Sequence, residues 1–364
     1  MTRDRIPSPA LLLDLDAFDA NVRTMTRFVA AHGKGLRPHG KTHKCPEIAR
    51  RLVAAGAAGA CTAKLAEAEV FAAHGVPGLL VTTAVVGPDK AARAAALAGR
   101  APDTIVVADD AGQVGVLEQA AADAGVTLRV AVDLYFGRTG VEPGEPAREI
   151  ARAIDRAPHL AFAGLQAYDA TASHTRGAGP RRARTTGTMA AAVATRRLIE
   201  ADGIACPMVS AGSTGSYRYD AGIDGLTELQ PGSFIFMDTD YLSIGGEEGG
   251  DAYTDFQPAL SVVATVVSVH GDEAIVDAGY KALATDRPFP PVPIGRDDLA
   301  YHWAGDEHGR IDMRRAHTRL AVGDRLEFRA PHCDPTVNLY DELHVLRGDA
   351  LEAVWPIAAR GKCQ

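Results

Sequence analysis

The chain has 364 residues, with 38 basic and 46 acidic side chains and a formal net charge of −8. Hydrophobic residues make up 46% and charged residues 23%, which are globular values and exclude a disordered chain. The negative charge disfavours a nucleic-acid or anionic-membrane partner. No run of 18 apolar residues occurs, so no membrane span is predicted.

The N-terminus and the cysteines indicate a cytoplasmic protein. The first 18 residues are charged, contain two prolines and lack the layout of a signal peptide. The five cysteines are scattered, and none forms a Cys-x-x-Cys pair. This usage is typical of a reduced cytosolic enzyme rather than of a disulfide framework or a zinc finger.

Between about residues 36 and 237, eight short apolar runs alternate with alanine-rich stretches of helical periodicity. The predicted strands are 36–42, 58–63, 78–85, 104–110, 128–134, 160–168, 207–212 and 226–230. Eight strands with intervening helices in roughly 200 residues predict a (β/α)8 barrel of the TIM type. A doubly wound sheet is the alternative, but the glycine fingerprint of its switch point is missing. Catalytic groups are expected at the carboxyl ends of the strands.

After residue 250 the sequence becomes β-rich, with predicted strands at 258–269, 273–279, 324–328 and 342–357. These predict an all-β C-terminal domain, which the segment 10–18 could join. The polar stretch 281–315 contains four prolines and predicts a long loop near a functional surface. We therefore predict a barrel over 19–250 and a β-rich domain formed by 1–18 and 251–364.

A basic cluster occupies the first predicted strand, in the sequence RPHGKTHK. Lys41 is surrounded there by Arg37, His39, His43 and Lys44. Neighbouring cations and partial burial both lower the pKa of a lysine, which would make its amine a nucleophile at neutral pH. A solvated basic patch is an equally good interpretation of this spacing alone.

Two turns rich in glycine and serine follow the last predicted strands, in SAGSTGSY (210–217) and QPGSF (230–234). Small residues let backbone N–H groups approach a phosphate, and the hydroxyls of Ser213 and Thr214 can add hydrogen bonds. Either turn alone could be an ordinary connection. Together, on the last strands of a barrel, they favour a phosphorylated cofactor.

The segment PHCDPTVNLYDEL (331–343) contains a candidate metal pair. On an extended strand, His332 and Asp334 would point to the same side and Cys333 to the other. An imidazole with a carboxylate suits a divalent ion, completed by water or substrate. An ordinary polar turn before a strand is the alternative.

These motifs occur in one order with the run from Asp133 to Gly140, GLQAY (164–168), VDAGYKAL (276–283) and DEHG (306–309). Together they resemble the D-threonine aldolase and D-serine dehydratase group, which shares the alanine racemase architecture, and they are also similar to 3-hydroxy-D-aspartate aldolases. The resemblance covers about residues 8–350. It implies pyridoxal 5′-phosphate, a divalent metal and a head-to-tail homodimer. The implied activity is a carbon–carbon lyase that cleaves small D-β-hydroxy amino acids of the D-threonine type to glycine and an aldehyde.

The resemblance also implies roles for individual residues. Lys41 matches the lysine that binds the cofactor covalently, and His174 matches a proposed catalytic base. His332 and Asp334 match the metal pair. The remaining cofactor-binding positions are Arg138 near the phenolate, Tyr168 against the pyridine ring, Gln230 in the late-strand turn, and the phosphate cradle of Ser213, Thr214, Gly215, Gly232 and Ser233.

Two departures from related enzymes are informative. Alanine racemases have arginine where this chain has Gln230, so the cofactor is tuned by a neutral amide instead of a fixed cation. Eukaryotic D-serine dehydratases have cysteine where this chain has Asp334. Oxygen in place of sulfur favours Mg²⁺ or Mn²⁺ over Zn²⁺ and favours the aldolase branch.

Three other functions remain open from the sequence. An aldolase or dehydratase of D-threo-3-hydroxyaspartate would need a cation for the second carboxylate, and the candidates are Arg287, Arg296, Arg310 and Arg314. A racemase would need a second acid–base group, for which Tyr280 and Tyr301 qualify by type. A non-catalytic pyridoxal phosphate carrier is the third, although a carrier needs neither a β domain nor a metal pair.

Overall fold

The computed structural model describes residues 2–247 and 249–364 of the chain. Within these residues the strands form two sheets, one with eight strands and one with nine. None of the helices in these ranges has the length and apolar character that crossing a bilayer requires.

The eight-stranded sheet is parallel throughout and follows the order β2-β9-β8-β7-β6-β5-β4-β3. Its strands are β2 (Gly35–Leu36), β3 (Ala60–Thr62), β4 (Leu79–Val81), β5 (Ile105–Ala108), β6 (Leu128–Asp133), β7 (Leu160–Ala167), β8 (Met208–Ala211) and β9 (Glu228–Leu229). A parallel bridge between His39 and Cys61 joins its first and last members, which closes the sheet into a barrel. The predicted (β/α)8 barrel is confirmed, and most of its strands are shorter than the apolar runs from which they were predicted.

Helices connect the barrel strands and cover their outer surface. They are α1 (Leu15–Ala31), α2 (Pro46–Ala54), α3 (Leu65–Ala73), α4 (Pro88–Arg100), α5 (Ala111–Ala124), α6 (Glu145–Arg156), α7 (Ala170–His174), α8 (Ala178–Ala201), α9 (Tyr217–Ala221), α10 (Thr239–Leu242) and, in the β domain, α11 (Cys333–Val337). In α6 the buried residues Ala147, Ile150, Ala151 and Ile154 recur at helical spacing, so one face packs on the barrel. Asp110 caps α5 by accepting from two backbone N–H groups of its first turn.

The nine-stranded sheet contains the first strand and all strands after residue 259. They are β1 (Ala10–Asp14), β10 (Leu260–His270), β11 (Glu273–Val276), β12 (Val292–Pro293), β13 (Ala300–Trp303), β14 (Gly309–Asp312), β15 (Arg325–Arg329), β16 (Glu342–Arg347) and β17 (Ala350–Pro356). Strand β1 pairs antiparallel with β10 and parallel with β16. The N-terminal segment therefore joins the C-terminal sheet, as its sequence suggested.

Three sequence expectations differ from this fold. The predicted loop 281–315 contains β12, β13 and β14, whose short apolar stretches are interrupted by turn residues. The single predicted strand 342–357 is the hairpin of β16 and β17. The domain division itself stays a prediction, and its first boundary, between residues 18 and 19, falls inside α1.

The two sheets share one hydrophobic core. A single cluster of buried side chains includes Phe18 and Met25 of α1, Phe234 after the last barrel strand, and Leu260 and Val262 of β10. Burial of this much apolar surface fixes the β domain against one end of the barrel. Residues from both domains can therefore meet in one site.

Candidate active site

Lys41 lies just beyond the carboxyl end of β2, in the one-turn 3-10 helix Gly40–Thr42. The strand ends at Leu36, so the expectation that Lys41 lies on the strand is wrong. A Cβ at Gly40 would overlap the ring of Phe71, and only glycine lets the backbone turn this closely over α3. The turn places Lys41 at the mouth of the barrel.

The ammonium of Lys41 forms an ion pair with the carboxylate of Asp334 in the β domain. Burial by itself would lower the pKa of Lys41, but the charge of Asp334 and the neighbouring Tyr168 outweigh it and raise this pKa. The sequence-based expectation of a lowered pKa is therefore wrong. The reason is that a carboxylate from a distant segment, and not the adjacent cations, is the nearest charge.

Two other basic residues of the cluster, Arg37 and Lys44, are already paired with carboxylates. Arg37 forms a two-pronged ion pair with Glu228, at 2.8 and 2.9 Å. Lys44 forms a buried ion pair with Glu67. Burial lowers the pKa of His43 to about 3, so this imidazole is neutral. The cluster is thus a set of structural contacts around Lys41 and not a solvated patch.

Backbone N–H groups converge in the turns after β8 and β9. Within the described residues, the N–H groups of Thr214, Gly215, Gly232 and Ser233 are among those that donate to no protein acceptor. The Ser213 hydroxyl is buried and lies 2.8 Å from the hydroxyl of Ser216. Unpaired N–H donors of this kind form a cradle for an anion. Both predicted glycine–serine turns therefore supply donors to one place.

Two glycines keep this cradle open. A Cβ at Gly215 would overlap the carbonyl oxygen of Ser173, and a Cβ at Gly232 would crowd the hydroxyl of Thr42. The backbone therefore approaches its neighbours more closely than any other residue type permits. This agrees with the expectation from the sequence that small residues in these turns allow the backbone to approach neighbouring groups closely.

The carboxamide of Gln230 is held by a chain of hydrogen bonds inside the barrel. Its Nε2 donates to Gln166 Oε1 and to Ser210 Oγ, both at 2.7 Å. Ser210 in turn donates to Glu228 at 2.7 Å, so its oxygen must accept from Gln230. This order fixes the amide and leaves Gln230 Oε1 buried without a partner among the described residues. A buried acceptor suits a protonated ring nitrogen, where arginine would suit an unprotonated one.

Tyr168 and Arg138 lie on neighbouring sides of the barrel mouth. Tyr168 follows β7, and its hydroxyl is 3.2 Å from the hydroxyl of Ser173. The guanidinium of Arg138 lies 5.4 Å from the centroid of the Tyr168 ring. Arg138 is exposed, whereas Tyr168 is half-buried. The phenol is close enough to Lys41 to influence its pKa.

His174 is the last residue of α7, and its Nδ1 lies 3.1 Å from Asp240 Oδ2. Its ring packs on Tyr241, with centroids 4.6 Å apart. Burial by itself would raise the pKa of Asp240, but the contacts with His174 and Arg287 outweigh it. The net pKa is below its usual value, so this carboxylate is charged. The pair of His174 and Asp240 is a close charge contact without hydrogen-bond geometry, and His174 Nδ1 is buried with no hydrogen-bond partner among the described residues. A small rotation of the ring would bring Nδ1 onto this carboxylate and leave Nε2 as the free nitrogen.

His332 and Asp334 lie at the start of α11, and Asp334 contacts Lys41. The expectation that they sit on an extended strand is wrong, because residues 333–337 form a helical turn. His332 precedes this turn in an extended conformation. Burial by itself would raise the pKa of Asp334, but the charge of Lys41 outweighs it and lowers this pKa. The Nδ1 of His332 lies 2.7 Å from Asp286 Oδ2, which leaves Nε2 available as a ligand.

The sequence did not single out Asp238, which organises this turn. Its Oδ1 accepts from the N–H of Tyr241 at 2.9 Å, and its Oδ2 accepts from the N–H of Cys333 at 2.8 Å. One buried carboxylate thus caps α10 and holds the peptide between His332 and Asp334. An aspartate before a short helix is a capping signal that the sequence can show. Its second partner, the N–H of Cys333, could not be predicted because it lies 95 residues away in the chain.

The residues proposed for competing activities lie elsewhere or are engaged. Arg296 pairs with Asp298, Arg310 with Glu273 and Arg314 with Asp312. Arg287 contacts two carboxylates, those of Asp240 and Asp286.

The two tyrosines suggested for a racemase, where the second acid–base group commonly comes from the partner subunit, make other contacts within the described residues. Tyr301 is buried and donates to the carbonyl of Ala278 at 2.8 Å. Tyr280 is exposed and stacks on Trp303, with ring centroids 5.0 Å apart.

Comparison with known proteins decides the family. Residues 13–240 match the model of the alanine racemase N-terminal domain, and residues 259–346 match that of a serine dehydratase domain. The chain belongs to the alanine racemase N-terminal domain family.

Within this family, full-length relatives identify the subgroup. The chain is 38% identical to a 3-hydroxy-D-aspartate aldolase of Paracoccus denitrificans (strain Pd 1222), over 100% of this chain and 94% of the relative. It is 39% identical to a D-threonine aldolase of Arthrobacter sp, over 98% of this chain and 93% of the relative. The crystal structure of D-threonine aldolase from Filomicrobium marinum superposes with a TM-score of 0.95 at 38% identity, covering 99% and 98% of the two chains. The chain is therefore a member of the aldolase subgroup, and the predicted alanine racemase-like fold is confirmed.

The alanine racemase family has a fold that binds pyridoxal phosphate, and the site of this member fits that cofactor. The N–H cradle suits its phosphate, Lys41 can react with its aldehyde, and Gln230 offers an acceptor. A metal site of three or more His, Cys, Asp or Glu side chains is not found in residues 2–247 and 249–364. The donor pair of His332 and Asp334 nevertheless suits a divalent ion with open coordination positions.

Proposed function

We propose that the protein is a pyridoxal phosphate- and divalent-metal-dependent aldolase that cleaves D-β-hydroxy amino acids of the D-threonine type to glycine and an aldehyde. Its relatives at 38 and 39% identity are carbon–carbon lyases, and they span nearly the whole chain. The observation that carries the proposal is the contact between Lys41 and Asp334. It brings the candidate cofactor lysine and the candidate metal pair into one site.

The chain supplies a distinct group for each task in this reaction. Lys41 would bind the cofactor, and the cradle of Ser213, Thr214, Gly215, Gly232 and Ser233 would hold its phosphate. Tyr168 and Arg138, which lie at the barrel mouth, are the residues we assign to its ring and its phenolate. Pyridoxal phosphate, when bound, supplies an electron sink for the Cα–Cβ bond that breaks.

The metal pair and the base act on the β-hydroxyl. His332 Nε2 and Asp334 would hold Mg²⁺ or Mn²⁺, ahead of Zn²⁺ because the second ligand is an oxygen. Such an ion polarises a bound hydroxyl as a Lewis acid. His174 Nε2 is the group that would accept the proton of the substrate β-hydroxyl, and the carboxylate of Asp240, 3.1 Å from Nδ1, would stabilise the imidazolium. From D-threonine the products are glycine and acetaldehyde.

The paired arginines favour a neutral β-substituent over a β-carboxylate. The four arginines that the sequence suggested for a second substrate carboxylate already contact carboxylates of this chain. Arg287 is the one of the four that contacts residues of the candidate site, and a substrate carboxylate there would have to displace Asp240 or Asp286. This supports D-threonine over D-threo-3-hydroxyaspartate as the substrate.

The assembly and the compartment belong to the same proposal. The family resemblance implies a head-to-tail homodimer, which sedimentation of the purified protein would test. The free cysteines Cys45, Cys61, Cys206, Cys333 and Cys363 agree with a cytoplasmic enzyme.

The test is a product assay on purified enzyme loaded with cofactor. D-Threonine, L-threonine and D-threo-3-hydroxyaspartate are each supplied with Mn²⁺ or with chelator. We expect glycine and acetaldehyde from D-threonine with Mn²⁺ only. Glyoxylate from hydroxyaspartate at a higher kcat/KM would instead identify a 3-hydroxyaspartate aldolase. Ammonia with oxaloacetate would identify a dehydratase. Incorporation of solvent deuterium at Cα with loss of optical activity would identify a racemase.

A further inference from the structure

A continuous chain of polar contacts joins the candidate base to the candidate metal ligand. His174 Nδ1 lies 3.1 Å from Asp240 Oδ2, which accepts from Arg287 Nε at 2.7 Å. The same guanidinium places a terminal nitrogen 3.3 Å from Asp286 Oδ2, and this oxygen lies 2.7 Å from His332 Nδ1. The first two residues belong to the barrel region and the last three to the β domain.

Each end of this chain fixes an imidazole. In both histidines Nδ1 faces a carboxylate, so Nε2 is directed away from it. For a metal ligand this arrangement raises the basicity of the ligating nitrogen and sets the ring plane. For a base it selects the tautomer that can accept a proton. Asp286 holds His332 through a hydrogen bond, whereas Asp240 lies beside His174 Nδ1 as a close charge contact without hydrogen-bond geometry.

Arg287 is the residue in the middle, and its shape explains why it can hold both carboxylates. A planar guanidinium presents donors in fixed directions, so Nε and a terminal nitrogen can engage two acceptors at once. A lysine ammonium offers a single point charge at the end of a flexible stem. Within the described residues, no other Lys or Arg pairs with Asp240 or Asp286.

We propose that Arg287 is a positioning residue that orients the base His174 and the metal ligand His332 together, through Asp240 and Asp286. This rests on the proposed function, since it assigns those two roles. Its consequence is a link between two measurable properties, the affinity for the metal and the rate of cleavage. Loss of Arg287 releases both carboxylates, whereas loss of either carboxylate releases one histidine only.

The backbone supports a positioning role at this place. The N–H of Asp240 donates to the carbonyl of Pro331 at 3.2 Å, directly before the metal pair. The N–H of Ala284 donates to the hydroxyl of Thr336, and that hydroxyl donates to the carbonyl of His332 at 2.8 Å. The segments that carry Asp240, Asp286 and His332 are therefore tied to one another independently of the Arg287 side chain. Its removal should disturb orientation more than folding.

The experiment measures Mn²⁺ binding separately from catalysis, using the electron paramagnetic resonance signal of free Mn²⁺ and full-length enzyme loaded with cofactor. We expect Asp286→Asn to weaken Mn²⁺ binding about 10- to 100-fold, the usual effect of removing a partner of a ligating histidine, with kcat largely restored at saturating Mn²⁺. We expect Asp240→Asn to keep Mn²⁺ affinity within about twofold and to lower kcat. Arg287→Gln should show both losses, and Arg287→Lys should recover part of each.

The matched control is Arg296→Gln, which removes another arginine of the β domain that pairs with an aspartate. It should change neither Mn²⁺ affinity nor kcat. Arg287→Gln with wild-type affinity and wild-type kcat would overturn the positioning role. The positioning role would also be overturned if Asp240→Asn and Asp286→Asn each lost Mn²⁺ affinity and kcat to the same extent. That result would indicate a general structural defect, which affects both properties together. Wild-type enzyme that neither binds Mn²⁺ nor cleaves a D-β-hydroxy amino acid would instead overturn the proposed function.

Discussion

The ammonium of Lys41 and the carboxylate of Asp334 form an ion pair between segments 293 residues apart in the chain. One residue comes from the first turn after a barrel strand and the other from a helical turn in the β domain. Each has a separate role in the proposed reaction, one toward the cofactor and one toward the metal. The contact shows that the site is built at the junction of two domains and belongs to neither alone.

Replacing Lys41 by alanine removes the amine that the proposed reaction needs. We expect Lys41→Ala to lose the near-ultraviolet or visible absorbance band of covalently bound cofactor and to lose cleavage activity, because the other lysine of the cluster, Lys44, is buried against Glu67. An absorbance spectrum and a glycine assay measure the two effects. Lys281→Ala, an exposed lysine paired with Glu307, serves as control and should keep both. A Lys41→Ala protein with the band and normal turnover would refute the assignment.

Removing the metal should separate cofactor binding from catalysis. Chelation and His332→Ala should each abolish cleavage while the cofactor stays bound, because the N–H cradle lies outside the metal pair and His332 forms no hydrogen bond with Lys41 among the described residues. Added Mn²⁺ or Mg²⁺ should restore the chelated wild type. Cys333→Ser should retain metal-dependent turnover, since this buried thiol contributes no ligand in the proposal. Full activity in chelator would exclude the metal pair from the reaction.

Filling the cradle should weaken cofactor binding. At Gly215 a Cβ would overlap the carbonyl oxygen of Ser173, so Gly215→Ala must shift the turn that supplies the free N–H groups. We expect at least a tenfold rise in the dissociation constant for pyridoxal phosphate, measured by fluorescence titration. Gly179→Ala is the matched control, because nothing lies within 4 Å of a Cβ there and alanine is a better helix former than glycine. Equal affinities in the two variants would argue against a phosphate site at this turn.

Asp220 should make stability depend on pH. Burial raises the pKa of this carboxyl to about 7, and one of its oxygens has no partner among the described residues. The folded state therefore holds the proton more tightly than the unfolded state, and stability falls as the pH rises toward 7. Asp220→Asn removes this cost. The free energy of unfolding of Asp220→Asn, relative to that of wild type, should therefore rise by up to about 3 kcal/mol between pH 5 and pH 8, at about 1.4 kcal/mol for each unit of pKa shift. Chemical denaturation at each pH measures this difference. The exposed Asp251→Asn should show no such growth, and a constant difference for Asp220→Asn would contradict the expected pKa.

Much of the fold could be predicted because its determinants are local. The apolar runs mark all eight barrel strands, although β2 and β9 are only two residues long. Strands β13 and β14 could not be predicted, because the prolines of the stretch 281–315 suggest a loop. These strands are defined by their pairing with each other and with β11, which a local pattern does not show.

The candidate site shows the same division. Sequence motifs picked out Lys41, both glycine–serine turns and the pair of His332 and Asp334, because each combines a reactive group with unusual neighbours within a few residues. The direction of the Lys41 pKa could not be predicted in this way, since its nearest charge comes from Asp334.

The sequence by itself determined the barrel with its β-rich companion, the two turns of small residues and the types of group available for chemistry, because periodicity and local spacing are properties of neighbouring residues. Only the tertiary structure decided that Lys41 meets Asp334, that Arg287 joins Asp240 to Asp286, and that the free oxygen of Gln230 is left without a partner. The physical reason is that charge and hydrogen bonding act between atoms close in space, and closure of the barrel against the β domain sets which atoms those are.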